Sequence, residues 1–109
     1  MRREYNRLVR DKVPDIITHS GRRCEYRILS ESEVILALQD KLIEKADKFS
    51  KRPSEEEVSD IFELLDAIIS KFGYEQMHID YLKLKNREEK GGYDGNTYLV
   101  YIEDDTEAK

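Results

Sequence analysis

The sequence predicts a mainly α-helical fold, an antiparallel helical bundle edged by a small two-stranded β ribbon. Three observations predict it. Two Ser-x-x-Glu starts, Ser30 with Glu33 and Ser54 with Glu57, each open a run of apolar residues at helical spacing. Gly73 and the pair Gly91–Gly92 stand where such runs stop. Only two short segments have the pattern of strands.

Taken in order, Asn6 to Lys12 reads as a short helical turn, and Pro14 suits the first turn of a second short helix to His19, which Gly21 ends. Cys24, Tyr26 and Ile28 alternate with Arg23, Glu25 and Arg27, a strand pattern. The first capping box opens a helix over 31–50, with Val34, Ile35, Leu38, Leu42, Ala46 and Phe49 facing inward. Pro53 closes the connection, and the second box opens a helix over 55–72. Its expected core stripe is Val58, Ile61, Phe62, Leu65, Ile68, Ile69 and Phe72. A further helix over 75–89 uses Met77, Ile79, Leu82 and Leu84. Thr97 to Ile102 is the second strand, the natural partner of the one near Cys24.

The 109 residues suit one domain over 1–109, with 103–109 expected to fray. Hydrophobic and charged residues each make up 39% of the chain, so the core is lean. Self-association, as a homodimer or higher oligomer, is the expected way to finish its burial. No apolar run reaches the roughly 20 residues of a membrane span, and no signal peptide is visible. The expectation is a cytoplasmic protein with no membrane partner. The single Cys24 forms no internal disulfide and is expected as a small buried hydrophobe. His19 and His78 have no second ligand at metal spacing and are expected at the surface.

The net charge of −5 is unevenly spread. Residues 1–27 carry eight Lys/Arg against four Asp/Glu, whereas the remainder carries eleven against twenty. An acidic body argues against DNA as a partner. A basic arm on that body suits a small anion, with or without a metal; an ordinary mixed-charge surface has the same composition.

Glu57 and Asp60 lie three residues apart on one helix, as do Glu44 and Asp47 on its antiparallel neighbour. Four carboxylates on facing helices can form an oxygen-rich site for Mg²⁺ and activate water against a phosphoanhydride. Solvated surface acids have the same spacing.

Four blocks in order carry a family resemblance: Tyr5-Asn6-Arg7-Leu8-Val9-Arg10-Asp11-Lys12-Val13-Pro14-Asp15-Ile16-Ile17, Lys41-Leu42-Ile43-Glu44, Glu56-Glu57-Val58-Ser59-Asp60-Ile61-Phe62-Glu63 and Lys90-Gly91-Gly92-Tyr93. The chain resembles the MazG-like nucleotide pyrophosphohydrolases, in particular a subgroup described as house-cleaning or phosphoribosyl-ATP pyrophosphohydrolase-like. The resemblance implies an all-α, oligomeric fold. It also implies Mg²⁺- or Mn²⁺-assisted cleavage of a nucleoside triphosphate to a monophosphate and pyrophosphate. In the family the metal is held by an EExxE motif on one helix and ExxD on the next. Glu57 and Asp60 match the second motif. The first falls on Glu44, Lys45 and Lys48, so two of its three carboxylates are lysines here.

Lys41, Lys45, Lys48 and Arg52 share one stripe, within about 60° on a helical wheel. An ammonium has no lone pair to offer a metal, so Lys45 and Lys48 are expected to pair with Glu57 and Asp60 instead. The metal candidates are Glu44, Glu57 and Asp60, with Asp47 in reserve. The substrate candidates are Arg7, Arg10, Lys12, Lys41, Lys45, Lys48 and Tyr93. The arm cations also suit salt bridges to the bundle, and Gly91–Gly92 also suits a helix stop and turn. Three functions stay open: a pyrophosphohydrolase, a nucleotide- or phosphate-binding relative without hydrolysis, and a structural or interaction domain.

Overall fold

The computed structural model describes residues 2–104. Its secondary structure is all α-helical, with four helices among the described residues: α1 Val13–His19, α2 Glu31–Lys51, α3 Glu55–Lys71 and α4 Gln76–Lys90. The chain divides into two compact units, Met1–Glu75 and Gln76–Lys109. Most of the tail expected to fray, 105–109, lies outside the described residues. No helix among the described residues is long and apolar enough to cross a membrane.

The first unit is built on the α2–α3 hairpin. The capping box that starts α2 is complete: the Ser30 hydroxyl accepts from the Glu33 N–H, and the Glu33 carboxylate accepts from the Ser30 N–H at 3.0 Å. Arg27 grips the same carboxylate with both Nη atoms, at 3.2 and 3.0 Å. Those hydrogen bonds, Arg27's first and then those of Ser30, lower the Glu33 pKa to about 2. The start of α3 is different. Ser54 accepts from the Glu57 N–H at 3.1 Å, but the Glu57 carboxylate does not close a box and lies toward α2 instead. Gly73, at φ +75°, ends α3. Its N–H reaches the Ser70 carbonyl and that of Tyr74 reaches Ile69, the paired bonds of a Schellman stop.

Leu38 at 3% and Leu64 at 9% exposure are the buried hydrophobic residues of the described chain, and they mark the seam between α2 and α3. This corrects the expected stripe. Phe62 was placed in the core and is 66% exposed. Val58, Leu65 and Phe49 are also exposed. The reason is geometric. Apolar residues cover more of α3 than one neighbour can hide, and Phe62 lies about 200° round the helix from Leu64. A face centred on Leu64 therefore turns Phe62 to solvent.

The segment Asn6–Lys12 is not helical. Asn6 sits at φ 46°, outside the right-handed helical region, and only the turn closed by Val13 N–H on Arg10 O leads into α1. Residues 22–30 and 96–104 carry no strand, so neither half of the expected ribbon forms here. Two segments this short give a marginal ribbon even when paired. Cys24, expected in the interior, is exposed.

The second unit consists of α4 and an irregular segment to Asp104. Local pairs brace the helix: Gln76 with Asp80 at 3.1 Å and Lys85 with Glu89 at 3.7 Å. Its apolar residues Met77, Leu82 and Leu84 are exposed.

Candidate functional site

The charged edge of the α2–α3 seam brings together most of the residues singled out above. Lys45 projects from the middle of α2 toward the first turns of α3. Its Nζ is 2.9 Å from Asp60 Oδ2 and 3.7 Å from Glu57 Oε1. The side chain is 15% exposed, so the ammonium is held largely out of water between the two carboxylates. On the other side of Asp60, Arg10 of the N-terminal arm donates to Oδ1 at 2.7 Å. Beside Lys45 on α2, Glu44 Oε2 accepts from Lys41, one turn earlier, at 3.1 Å and from Arg7 at 3.4 Å.

The electrostatics follow the contacts. The hydrogen bond from Lys45 and then that from Arg10 lower the Asp60 pKa against the opposing effect of burial. The same hydrogen bond to Asp60 raises that of Lys45; burial opposes this, while the attraction of Asp60, Glu57 and Glu44 adds to it. For Glu44 burial is the largest influence and pushes upward. Lys41, Arg7 and Lys48 together outweigh it, and the net direction is down. Glu57 Oε1 is buried without a hydrogen-bond partner. Lys45 attracts it across 3.7 Å but does not bond it.

Not every expected residue joins this cluster. Lys48 is exposed on α2 and acts on Glu44 only through space. Asp47 is drawn to Lys51, one turn along the same helix, at 3.2 Å, so it does not stand in for a missing ligand. Lys12 is the N-cap residue of α1 and lies beside a shallow depression with Asp15 and His19. Tyr93 is exposed in the second unit. Sequence reasoning missed the pairings of the arm, Arg7 with Glu44 and Arg10 with Asp60. Arg7 and Arg10 were marked as cations, but nothing in their spacing says which carboxylates they meet.

The residues do not fit the divalent metal that the resemblance implies. Among the described residues no three His, Cys, Asp or Glu side chains converge on a point that could hold an ion. The position facing both Glu57 and Asp60 is taken by the Lys45 ammonium, which repels a divalent cation and offers it no lone pair. The cluster holds four cationic groups (Arg7, Arg10, Lys41 and Lys45) against three carboxylates (Glu44, Glu57 and Asp60), and Lys48 adds its charge through space. Its balance favours an anion.

Comparison of the chain with protein-family models, with curated proteins and with solved structures returns no match.

Proposed function

We propose that this chain binds a phosphate-bearing small molecule, a nucleotide by the family resemblance, without a metal and without hydrolysing it. The observation that carries the reading is the Lys45 ammonium 2.9 Å from Asp60 and 3.7 Å from Glu57. In MazG-like enzymes the matching carboxylates serve a metal; here a tethered cation serves them. The net positive edge formed by Arg7, Arg10, Lys41, Lys45 and Lys48 supports phosphate binding, since guanidinium and ammonium groups both suit phosphate oxygens. Metal-assisted pyrophosphohydrolysis needs ligands that the described residues do not bring together.

The bundle in this reading is of the MazG type and is completed by a second copy. Val58, Phe62, Leu65, Ile69 and Phe72 recur along α3 at alternating steps of four and three residues. This is the spacing of a helix–helix seam, and its first three members are exposed. A cytoplasmic setting, where nucleotides are at hand, goes with the proposal.

Calorimetry with a nucleoside triphosphate, with and without Mg²⁺, tests it, together with an assay for released pyrophosphate. Binding without metal and no pyrophosphate release are expected. Mg²⁺-dependent binding with pyrophosphate release would restore the enzyme reading. No binding under either condition would leave a structural or interaction domain.

A further inference from the structure

The charged edge repeats one arrangement twice. Asp60 is held between Arg10 at 2.7 Å and Lys45 at 2.9 Å. Glu44 is held between Arg7 at 3.4 Å and Lys41 at 3.1 Å. Each carboxylate thus sits in a clamp made of one arm arginine and one α2 lysine. The two arginines are three residues apart on the arm, and the two lysines are four apart on α2. That places the lysines about one helical turn apart, ~6 Å along the axis.

The clamps have a floor and an open side. Lys41 and Lys45 are 17% and 15% exposed, whereas Arg7 and Arg10 are 46% and 59% exposed. Solvent, and any solute in it, reaches the arginines first. A guanidinium bonds a phosphate through the same planar fork that it offers a carboxylate. A phosphate also carries more charge than the carboxylate it would replace.

We infer that Glu44 and Asp60 are internal stand-ins for two phosphate groups, and that the ligand class is a linear polyphosphate chain which displaces them from the arm arginines. This rests on the anion-binding reading above and specifies its ligand and regulation. Orthophosphate engages one clamp and must compete with a tethered carboxylate for it. A chain of two or three phosphates engages both, and its second contact forms at high effective concentration. The carboxylates therefore act as a threshold that rejects single phosphates. Binding also breaks the Arg7–Glu44 and Arg10–Asp60 ties, so the arm changes partners when the site fills.

The test is calorimetry on the full chain without divalent cations, using orthophosphate, pyrophosphate and tripolyphosphate as probes. Affinity is expected to rise in that order. Asp60→Asn and Glu44→Gln remove one competitor each, and either is expected to tighten pyrophosphate binding by about tenfold. Two variants are used because either one alone could loosen the seam; circular dichroism melts establish that each is folded. The double change Arg7→Gln with Arg10→Gln, at exposed positions, is expected to abolish the preference for pyrophosphate over orthophosphate. If no probe binds the unaltered chain or the variants, the anion-binding reading falls and the inference with it. If the probes bind but both folded amide variants weaken binding, or if orthophosphate binds as tightly as pyrophosphate, the inference alone is overturned.

Discussion

The two edges of the α2–α3 seam solve the same burial problem in opposite ways. On one edge Lys41, Glu44, Lys45, Glu57 and Asp60 come off the helices and neutralise one another, with Arg7 and Arg10 added from the arm. On the other, Phe49, Val58, Phe62 and Leu65 come off the same helices and remain exposed. Leu38 and Leu64 are the residues of these helices that the seam buries. Charged groups can be satisfied pairwise within one hairpin. Apolar surface is hidden only by a further body. The charged edge finds its partners within one chain, Glu57 Oε1 excepted, and the apolar edge is the face that the proposed second copy would cover.

Four changes break or sharpen that contrast. The largest converts the charged edge. Lys45→Glu with Lys48→Glu places carboxylates at the two lysine positions of the implied metal motif, and calorimetry should detect Mg²⁺ binding near the millimolar range, about 4 kcal/mol. No Mg²⁺ binding would refute Lys45 as the metal's replacement. Next, Leu64→Ala removes a buried side chain of the seam and should cost about 3 kcal/mol in urea denaturation. Third, Phe62→Glu leaves the seam intact and acts on the apolar edge. Sedimentation should show self-association weakened by about 2 kcal/mol, and an unchanged oligomer would remove α3's outer stripe from the interface.

The smallest effect is that of pH on the charged edge. Asp60 has a lowered pKa, so its contribution is present above the usual carboxylate range and is lost as pH falls through the lowered value. Lys45 has a raised pKa, so its contribution is present below the usual lysine range and is lost as pH rises through the raised value. Both therefore act in full between about pH 5 and about pH 9. The stability difference between the unaltered chain and Asp60→Asn should be on the order of 1 kcal/mol within that window and vanish in acid. A difference that persists unchanged at the acid end would mean that Asp60 acts through packing.

Local signals in the sequence were legible where they are self-contained. Ser30 and Glu33 mark the start of α2, and Gly73 marks the end of α3, because capping involves residues only a few positions apart. The pairing of Lys45 with Glu57 and Asp60 was also legible, from the place of Lys45 in the resembled motif and from the antiparallel hairpin, but the same reasoning paired Lys48, which stays exposed on α2. What was not legible depends on distant or competing partners. An apolar arc as broad as that of α3 does not say which part its neighbour will cover, so Phe62 was expected in the core and Leu64 was left out of the stripe. The alternation at Cys24–Ile28 describes a strand only where another backbone accepts its hydrogen bonds. Asn6 tolerates the left-handed region, and a seven-residue window of charged and apolar residues does not reveal that it enters it.

Glu57 has two claims on it. The Ser-x-x-Glu pattern offers its carboxylate to the Ser54 N–H, yet Lys45 draws it across the seam and only the Ser54 hydroxyl half of the box is made. The beginning of α3 is therefore left with one fewer tie than that of α2, and the deficit is set by a residue on another helix. Anything that occupies Lys45 releases Glu57 to turn back and tighten its own helix. The Ser54 amide proton, exchanging faster or slower with solvent, would then act as a gauge of what the lysine is holding.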